Sequence, residues 1–171
     1  MKLVEGESLR TRLAADPPLV EDLVDAEMQI QMNGVDFTLR EVSRFGDEPG
    51  AIDFDNSERK TPETIPIEPD GDGWWTLGPG PYWIVYNEVV NIPPDMFGMA
   101  RTRSSLLRSG AHIGTALWDS GYSGRSGSVL VVHNPAGLRL KRDARVLQLV
   151  FYGLDAPAAK TYAGQYQNEN K

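Results

Sequence analysis

Three arginines and two serines fall within the short stretch from Arg101 to Arg108, which reads RTRSSLLR. If Ser104 and Ser105 open a helical turn, the free backbone N–H groups at its start form an anion site. The serine hydroxyls add donors, and Arg103 and Arg108 add forked donors that are permanently charged. The stretch is therefore a candidate cradle for a triphosphate, although a solvated basic turn explains it equally well when it is taken alone.

A second candidate is the segment from Gly114 to Arg125, GTALWDSGYSGR, in which an aspartate is followed by glycines and an aromatic residue. This pattern is typical of a β-hairpin whose tip presents a carboxylate. Asp119 is then placed to orient or deprotonate a water molecule as a general base, and Tyr122 to stack on a sugar ring and exclude a 2′-hydroxyl. Judged alone, the segment more often forms a hairpin in which Asp119 only caps the turn.

Four further polar residues stand out by their neighbours. Gln148 interrupts the apolar run VLQLVF, so it either faces a ligand or satisfies neighbouring backbone. Asp36 lies inside the apolar stretch GVDF, where an unpaired charge is costly. His112 and His133 have no other histidine at ligand spacing, which favours a structural role over a metal site.

The segments that must position these residues have the pattern of a β protein. Leu9 and Leu13 predict a helix over residues 5–13, and a second short turn is predicted over 21–26. Apolar alternation from Gln29 to Leu39 around Asn33-Gly34 predicts a strand pair. Further strands are predicted over 74–77, 82–90, 96–101, 111–117, 128–132 and 144–152, with one internal helix over 104–108 that has Ser104 as its N-cap. Many short strands with regular turns indicate a sandwich or a barrel.

Length, charge and composition argue against several classes of function. The 171 residues suit one domain, and a net charge of -7 with a pI of about 4.8 argues against binding of nucleic acid. No apolar run approaches the roughly 20 residues of a membrane helix, so no membrane contact is expected. Because cysteine is absent, thiolate metal sites and disulfides are excluded. We expect a cytoplasmic protein.

The order of the motifs resembles the dUTPase and dCTP deaminase superfamily, and most closely its archaeal dUTPase branch. The resemblance covers most of the chain from Gln29 onward and rests on the stretches NGVDFTL, RTRSSLLRSG, GTALWDSGYSG, VVHN, ARVLQLVF and YAGQYQ. It implies a mainly β fold, a distorted β-barrel or jelly roll with a short N-terminal helix and one short internal helix. It also implies a single domain over 1–160, a flexible C-terminal arm over 161–171 that closes over the site, and a homotrimer with sites at its subunit interfaces.

The same resemblance assigns roles to residues. Asp119 matches the acid that activates water, and Tyr122 matches the aromatic residue that packs on deoxyribose. The residues that match phosphate ligands are Arg103, Ser104, Ser105, Arg108, Gln148 and, in the arm, Gln165. The backbone around Ile113, Thr115 and Leu117 matches the segment that recognises the base edge. Asp36 occupies the first motif, whose acid is either structural or helps to place metal. Mg²⁺ would bridge phosphate oxygens and keep several waters, so no dedicated set of protein metal ligands is expected.

The two branches of the superfamily share the nucleotide cradle and differ in a glutamate on the strand after the hairpin, which shuttles protons during cytosine deamination. Here the stretch from Ser126 to Asn134 contains no acid, and either Val129 or Val131 occupies the position. General acid–base help is worth about 10²–10⁴ in rate. Its loss favours hydrolysis of dUTP to dUMP and pyrophosphate. The alternatives are dCTP deamination, alone or coupled to hydrolysis and with an acid from elsewhere, and a non-catalytic deoxynucleotide-binding regulator.

Overall fold

The longest strand of the molecule begins at Gly34, directly after the predicted turn, and runs to Phe45. The computed structural model describes residues 1–171. Val35, Phe37 and Leu39 are fully buried, as the alternation predicts. This strand has a neighbour on each side, so its apolar side chains form the centre of the core.

The chain contains fourteen strands and three helices. The strands are β1 Lys2–Val4, β2 Val20–Glu21, β3 Ile30–Gln31, β4 Gly34–Phe45, β5 Thr64–Pro66, β6 Trp74–Leu77, β7 Gly80–Tyr86, β8 Val89–Asn91, β9 Met96–Thr102, β10 Ala111–Gly114, β11 Ser123–Gly124, β12 Gly127–Val132, β13 Leu138–Lys141 and β14 Arg145–Gly153. The helices are α1 Gly6–Leu13, α2 Ala26–Gln29 and α3 Ser104–Arg108. The mainly β fold with an N-terminal and an internal helix is confirmed.

Nine strands form one sheet, in the order β1-β14-β4-β7-β12-β10, with β3 and β5 also paired to β4 and β9 paired to β14. Every strand pair is antiparallel. Two small sheets, β11-β8-β2 and β13-β6, complete the structure. The large sheet curls around one core cluster of 27 buried apolar residues, the arrangement expected of a distorted barrel.

The helical predictions need two corrections. The turn predicted over 21–26 is wrong, because Val20–Glu21 forms β2 and α2 begins only at Ala26. Asp25 caps that helix by accepting a hydrogen bond from the Met28 N–H. In addition, the N-cap of α3 is Arg103, whose backbone is extended, and Ser104 is its first helical residue.

One strand ends earlier than predicted. The strand predicted over 111–117 stops at Gly114, after which the chain leaves β12. Trp118 instead pairs with Gly98 of β9, and both backbone hydrogen bonds of that pair are made. The loop from residue 115 to 122 therefore leaves β12 and is held against β9, and a cavity lies beside it. No helix in the structure is both long enough and apolar enough to cross a membrane.

Candidate active site

A cavity of about 600 Å³ opens beside this loop. Asp119, Tyr122 and Leu117 line it, so three of the residues singled out in the sequence meet there. The rest of its wall is largely apolar and aromatic, and consists of Phe45, Thr61, Pro62, Thr64, Trp83, Ala116, Trp118, Ser126, Gly127, Tyr162, Tyr166 and Glu169. A concave, mostly apolar cavity with a few convergent polar groups is the usual form of a small-molecule site.

A tight turn sets the relation of Asp119 to Tyr122. The Tyr122 N–H donates to the Asp119 carbonyl at 3.0 Å, which closes a four-residue turn. Its third residue, Gly121, has a φ of +85°, the value that a type II turn requires and that glycine adopts without strain. The turn leaves the Asp119 side chain exposed, whereas Tyr122 is only 6% exposed. One carboxylate and one aromatic ring thus face the same cavity.

The residues predicted to bind phosphate lie elsewhere in the chain. Arg103 Nε lies 3.1 Å from Asp36 Oδ2, and Arg145 Nη1 lies 3.3 Å from the same oxygen. Arg103 also donates to the Arg145 carbonyl at 3.1 Å. Burial raises the pKa of the Asp36 carboxyl, while the two guanidinium groups oppose that shift. Asp36 is therefore a buried anchor that holds the Arg103 side chain beside the start of α3.

The arginine cluster and the Asp119 loop lie at different positions along β9. Trp118, next to Asp119, pairs with Gly98, while Arg103 follows Thr102. Gly98 and Thr102 are four residues apart on β9, or about 13 Å at the rise of an extended strand. Ser104, Ser105 and Arg108 are exposed on α3, and Gln148 is half-buried opposite Asp36 and Arg101. Within one chain, none of the predicted phosphate residues lines the cavity of about 600 Å³ that Asp119 lines.

The remaining predicted contacts are also placed apart from the cavity. The backbone N–H and carbonyl of Ile113 are both engaged by the Thr102 hydroxyl, at 2.9 and 3.2 Å. Thr115 is half-buried outside the cavity lining. Gln165 is exposed, and its side-chain oxygen accepts a hydrogen bond from Arg59 at 2.5 Å. Of the three residues predicted to read the base edge, only Leu117 lines the cavity.

A buried polar network supports the strand that carries Asp36. Glu88 is fully buried and accepts hydrogen bonds from the Thr38 N–H, the Thr38 hydroxyl and the Gln29 amide. Gln29 also donates to the Asp36 carbonyl at 2.9 Å. Burial is the main cause of a raised pKa at Glu88. The network joins α2, β4 and the turn after β7, because each element contributes a member.

Several cavity residues escaped the sequence reasoning. Phe45 and Trp83 come from β4 and β7, where they resemble ordinary strand residues. Trp118 donates to the Ser126 hydroxyl at 2.9 Å and so ties the two sides of the loop together. Glu169 lies in the polar tail, where no local pattern distinguishes it. Only contacts between distant parts of the chain reveal these residues.

Comparison with known proteins decides the family. The model of the dCTP deaminase-like family matches residues 3–154. The chain belongs to the dCTP deaminase-like family. It is 51% identical over 170 residues to a probable deoxyuridine 5′-triphosphate nucleotidohydrolase of Methanosarcina mazei, covering 99% of each chain. A protein of the same name from Archaeoglobus fulgidus is 45% identical over 170 residues, which is 99% of this chain and 98% of that one.

A solved structure shares the fold. The 2′-deoxycytidine 5′-triphosphate deaminase from Agrobacterium tumefaciens superposes with a TM-score of 0.61 at 18% identity. The alignment covers 88% of this chain and 48% of that one. The relatives by sequence are named nucleotidohydrolases, whereas this structural neighbour is named a deaminase.

The glutamate that the resemblance implies for dCTP deamination, and that dUTP hydrolysis does not require, would lie on β12. Gly127 lines the cavity, and Val129 and Val131 follow on the same face of β12, opposite the buried Ser128 and Leu130. Both candidate positions for the deaminase glutamate therefore carry valine, and neither carries an acid. Asp119 and Glu169 are the only carboxylates among the cavity residues.

Proposed function

We propose that this protein hydrolyses dUTP to dUMP and pyrophosphate. The observation that carries the proposal is the cavity, in which Asp119 and Tyr122 converge and to which β12 contributes Gly127 and no carboxylate. Near-full-length identity of 45–51% to archaeal proteins named as dUTP nucleotidohydrolases supports it. Hydrolysis needs an activated water and clamped phosphates, but no proton shuttle at the base.

Asp119 is the general base in this proposal. Its exposed carboxylate lies at the cavity, where it can accept a proton from a water that attacks the α-phosphate. Tyr122 forms the wall against which the deoxyribose packs, and the close approach leaves no room for a 2′-hydroxyl. Leu117 and the aromatic residues Phe45 and Trp83 enclose the base from the remaining sides.

Mg²⁺ is the metal that we propose for the reaction. The structure contains no group of three or more acidic or histidine side chains that could hold a metal ion, so the ion would enter on the triphosphate. Asp119 offers a hard carboxylate oxygen of the type that Mg²⁺ accepts. When bound, the ion supplies charge neutralisation at the phosphates. Arg103, Arg108, Ser104 and Ser105 would clamp the phosphate oxygens, with Gln148 beside them.

The site is completed by a second subunit in a homotrimer. Thr102, the residue before Arg103, lies about 13 Å along β9 from Gly98, the partner of the Asp119 loop in the same chain. A neighbouring copy can bring its arginine cluster to that loop. The Met28 carbonyl accepts a hydrogen bond from Arg145, and the apolar Met28 side chain beside the cluster is largely exposed. An exposed apolar side chain at this place is available for contact with a second subunit.

The C-terminal arm, residues 161–171, closes over the nucleotide in this proposal, while residues 1–160 form the single catalytic domain. Tyr162, Tyr166 and Glu169 of the arm already line the cavity. The Gln165 side chain accepts an exposed hydrogen bond from Arg59. Gln165 would break this hydrogen bond and contact the phosphates instead.

One assay tests the function. The protein is incubated with Mg²⁺ and either dUTP or dCTP, and pyrophosphate and ammonia are measured separately. We expect pyrophosphate from dUTP and no ammonia from dCTP. Ammonia from dCTP would show that an acid other than one on β12, with Glu169 as the candidate in the cavity, serves deamination. Tight dUTP binding without either product would identify a regulatory protein instead.

A further inference from the structure

The hydroxyl of Tyr122 donates a hydrogen bond to Glu169 Oε1 at 2.7 Å. The two residues are 47 positions apart, and Glu169 lies near the end of the C-terminal arm. Both line the cavity. Tyr122 is the residue whose ring would face deoxyribose, so a contact at the tip of that ring bears on sugar recognition.

The arm is bound to the same loop by backbone and side-chain hydrogen bonds. The Asn168 N–H donates to the Ser123 carbonyl at 2.7 Å, and the Arg125 N–H donates to the Glu169 carbonyl at 2.9 Å. The Gln167 side chain accepts from the Ser123 N–H and donates to the Gly121 carbonyl. These bonds fix the arm backbone on each side of Glu169. The Glu169 side chain is therefore delivered to Tyr122 by a docked segment.

The ring of Tyr122 is enclosed by the arm and by its own turn. Tyr162 packs edge-on against it, with ring centroids 5.5 Å apart at an angle of 81°. A Cβ added at Gly124 would lie 2.7 Å from the Tyr122 hydroxyl, so the loop itself leaves no room on that side. The hydroxyl is thus confined between Gly124 and Glu169, and movement of the ring requires movement of the arm.

We infer that Glu169 is a positioning residue that holds Tyr122 against the deoxyribose, so that docking of the arm and exclusion of a 2′-hydroxyl are one event. This inference rests on the proposed function and adds a specificity-determining residue to it. The Tyr122 ring can exclude a ribose only if it cannot tilt away. The bond from its hydroxyl to a docked carboxylate resists that tilt, since a buried hydroxyl without a partner is unfavourable.

Burial is consistent with this role. It raises the pKa of both the Tyr122 hydroxyl and the Glu169 carboxyl above their ordinary values, so each group has lost much of its contact with water. The hydrogen bond between them replaces part of that lost hydration. The two groups consequently favour each other over solvent while the arm is docked.

Four single variants and the double variant Tyr122→Phe with Glu169→Ala test the inference. Glu169→Ala removes the acceptor, and Glu169→Gln keeps an acceptor oxygen without the charge. Tyr122→Phe removes the donor and keeps the ring. Lys171→Ala is the matched control, because Lys171 also binds the loop from the arm, through the Ser123 hydroxyl at 2.7 Å, without touching Tyr122. For each variant, kcat and KM are measured with dUTP and with UTP.

We expect Glu169→Ala to lower the preference for dUTP over UTP by about tenfold, the effect of losing one hydrogen bond of ordinary net strength. Glu169→Gln should recover most of the preference, and Lys171→Ala should retain it. Tyr122→Phe should lower it as Glu169→Ala does, and the double variant should be no worse than either single variant. An unchanged preference in Glu169→Ala, or an equal loss in Lys171→Ala, would overturn the inference.

Binding measurements separate this inference from the proposed function. Calorimetric titration with α,β-imido-dUTP and α,β-imido-UTP compares the two sugars without turnover. If wild-type protein discriminates between these ligands but releases no pyrophosphate from dUTP, the proposed function fails and the inference is still tested by the variants. If wild-type protein hydrolyses dUTP and Glu169→Ala retains full discrimination in both measurements, only the inference fails.

Discussion

The Asp36 carboxylate holds Arg103 at 3.1 Å, with the Nε of the guanidinium directed at Oδ2. Arg145 shares the same oxygen at 3.3 Å. Asp36 is 2% exposed, so its charge is satisfied almost entirely by these two partners. The pair joins a motif in the first long strand to the arginine that we propose as a phosphate ligand. Asp36 of the GVDF stretch and Arg103 of the RTRSSLLR stretch, which the sequence analysis singled out separately, thereby form one structural unit.

Replacing Asp36 should affect both stability and substrate binding. Asp36→Asn leaves two guanidinium groups beside a neutral amide, and we expect a loss of about 2 kcal/mol in the free energy of unfolding. This is below the ~3–5 kcal/mol of a fully buried broken pair, because the two arginine side chains are 29% and 27% exposed. The freed Arg103 should raise KM for dUTP. Urea unfolding and steady-state kinetics measure these effects.

The control for this variant is Glu41→Gln. Glu41 pairs with Arg40 at 3.0 Å on the surface, and both side chains are largely exposed. Exposed pairs of this kind contribute about 0–1 kcal/mol. A similar loss of stability in Glu41→Gln and Asp36→Asn would contradict the role of Asp36 as a buried anchor.

Removal of the Asp119 carboxylate should separate catalysis from binding. Asp119→Asn keeps the shape of the side chain and loses the proton acceptor, so we expect kcat for dUTP to fall by about 10²–10⁴. Affinity for α,β-imido-dUTP should change little. Asp155→Asn, at a surface carboxylate paired with the N-terminus, is the control and should retain full turnover. Unchanged turnover in Asp119→Asn would remove this residue from the mechanism.

Mixing two inactive variants tests the interfacial site. Arg103→Ala loses a phosphate ligand and Asp119→Asn loses the base, and each should be inactive alone. If every site takes these residues from different subunits, random mixed trimers contain intact sites, and about a quarter of wild-type activity should return after joint refolding. The control is the two separately folded variant proteins, combined without an unfolding step. No recovery in verified mixed trimers would place both residues in one subunit's site.

Glu88 should give the protein a characteristic dependence of stability on pH. Its folded pKa is raised above the ordinary value of 4.5, mainly by burial. A raised carboxyl pKa contributes stability that is present below the unfolded pKa and is lost as pH rises through the folded pKa. Glu88→Gln lacks this contribution. It also turns an NH₂ group toward the Thr38 N–H, at a cost of about 1–3 kcal/mol.

The measurement is urea unfolding of wild-type protein and Glu88→Gln between pH 7 and pH 4.5. We expect the wild-type protein to be the more stable at pH 7 and its advantage to widen as the pH falls. An advantage that stays constant or narrows over this range would show that the folded pKa of Glu88 is not raised.

Local patterns predicted much of the fold. The alternation that buries Val35, Phe37 and Leu39 placed the central strand, because side chains in a strand alternate between two faces whatever the partner strand. The internal helix over Ser104–Arg108 followed from residues that lie next to one another. The second helix was misplaced because its cap depends on Asp25, and a four-residue helix has almost no periodic signal.

The candidate site divides in the same way. The amino-acid sequence by itself determined which residues are candidates for the chemistry: an arginine–serine cluster, one aspartate with an aromatic residue three positions later, and valines instead of an acid on β12. Only the tertiary structure decided where they lie. It separated Arg103 from Asp119 along β9, joined Arg103 to Asp36, and brought Glu169 to Tyr122. These relations depend on strand pairing and loop closure between residues far apart in the chain, on which the spacing of neighbouring residues carries no information.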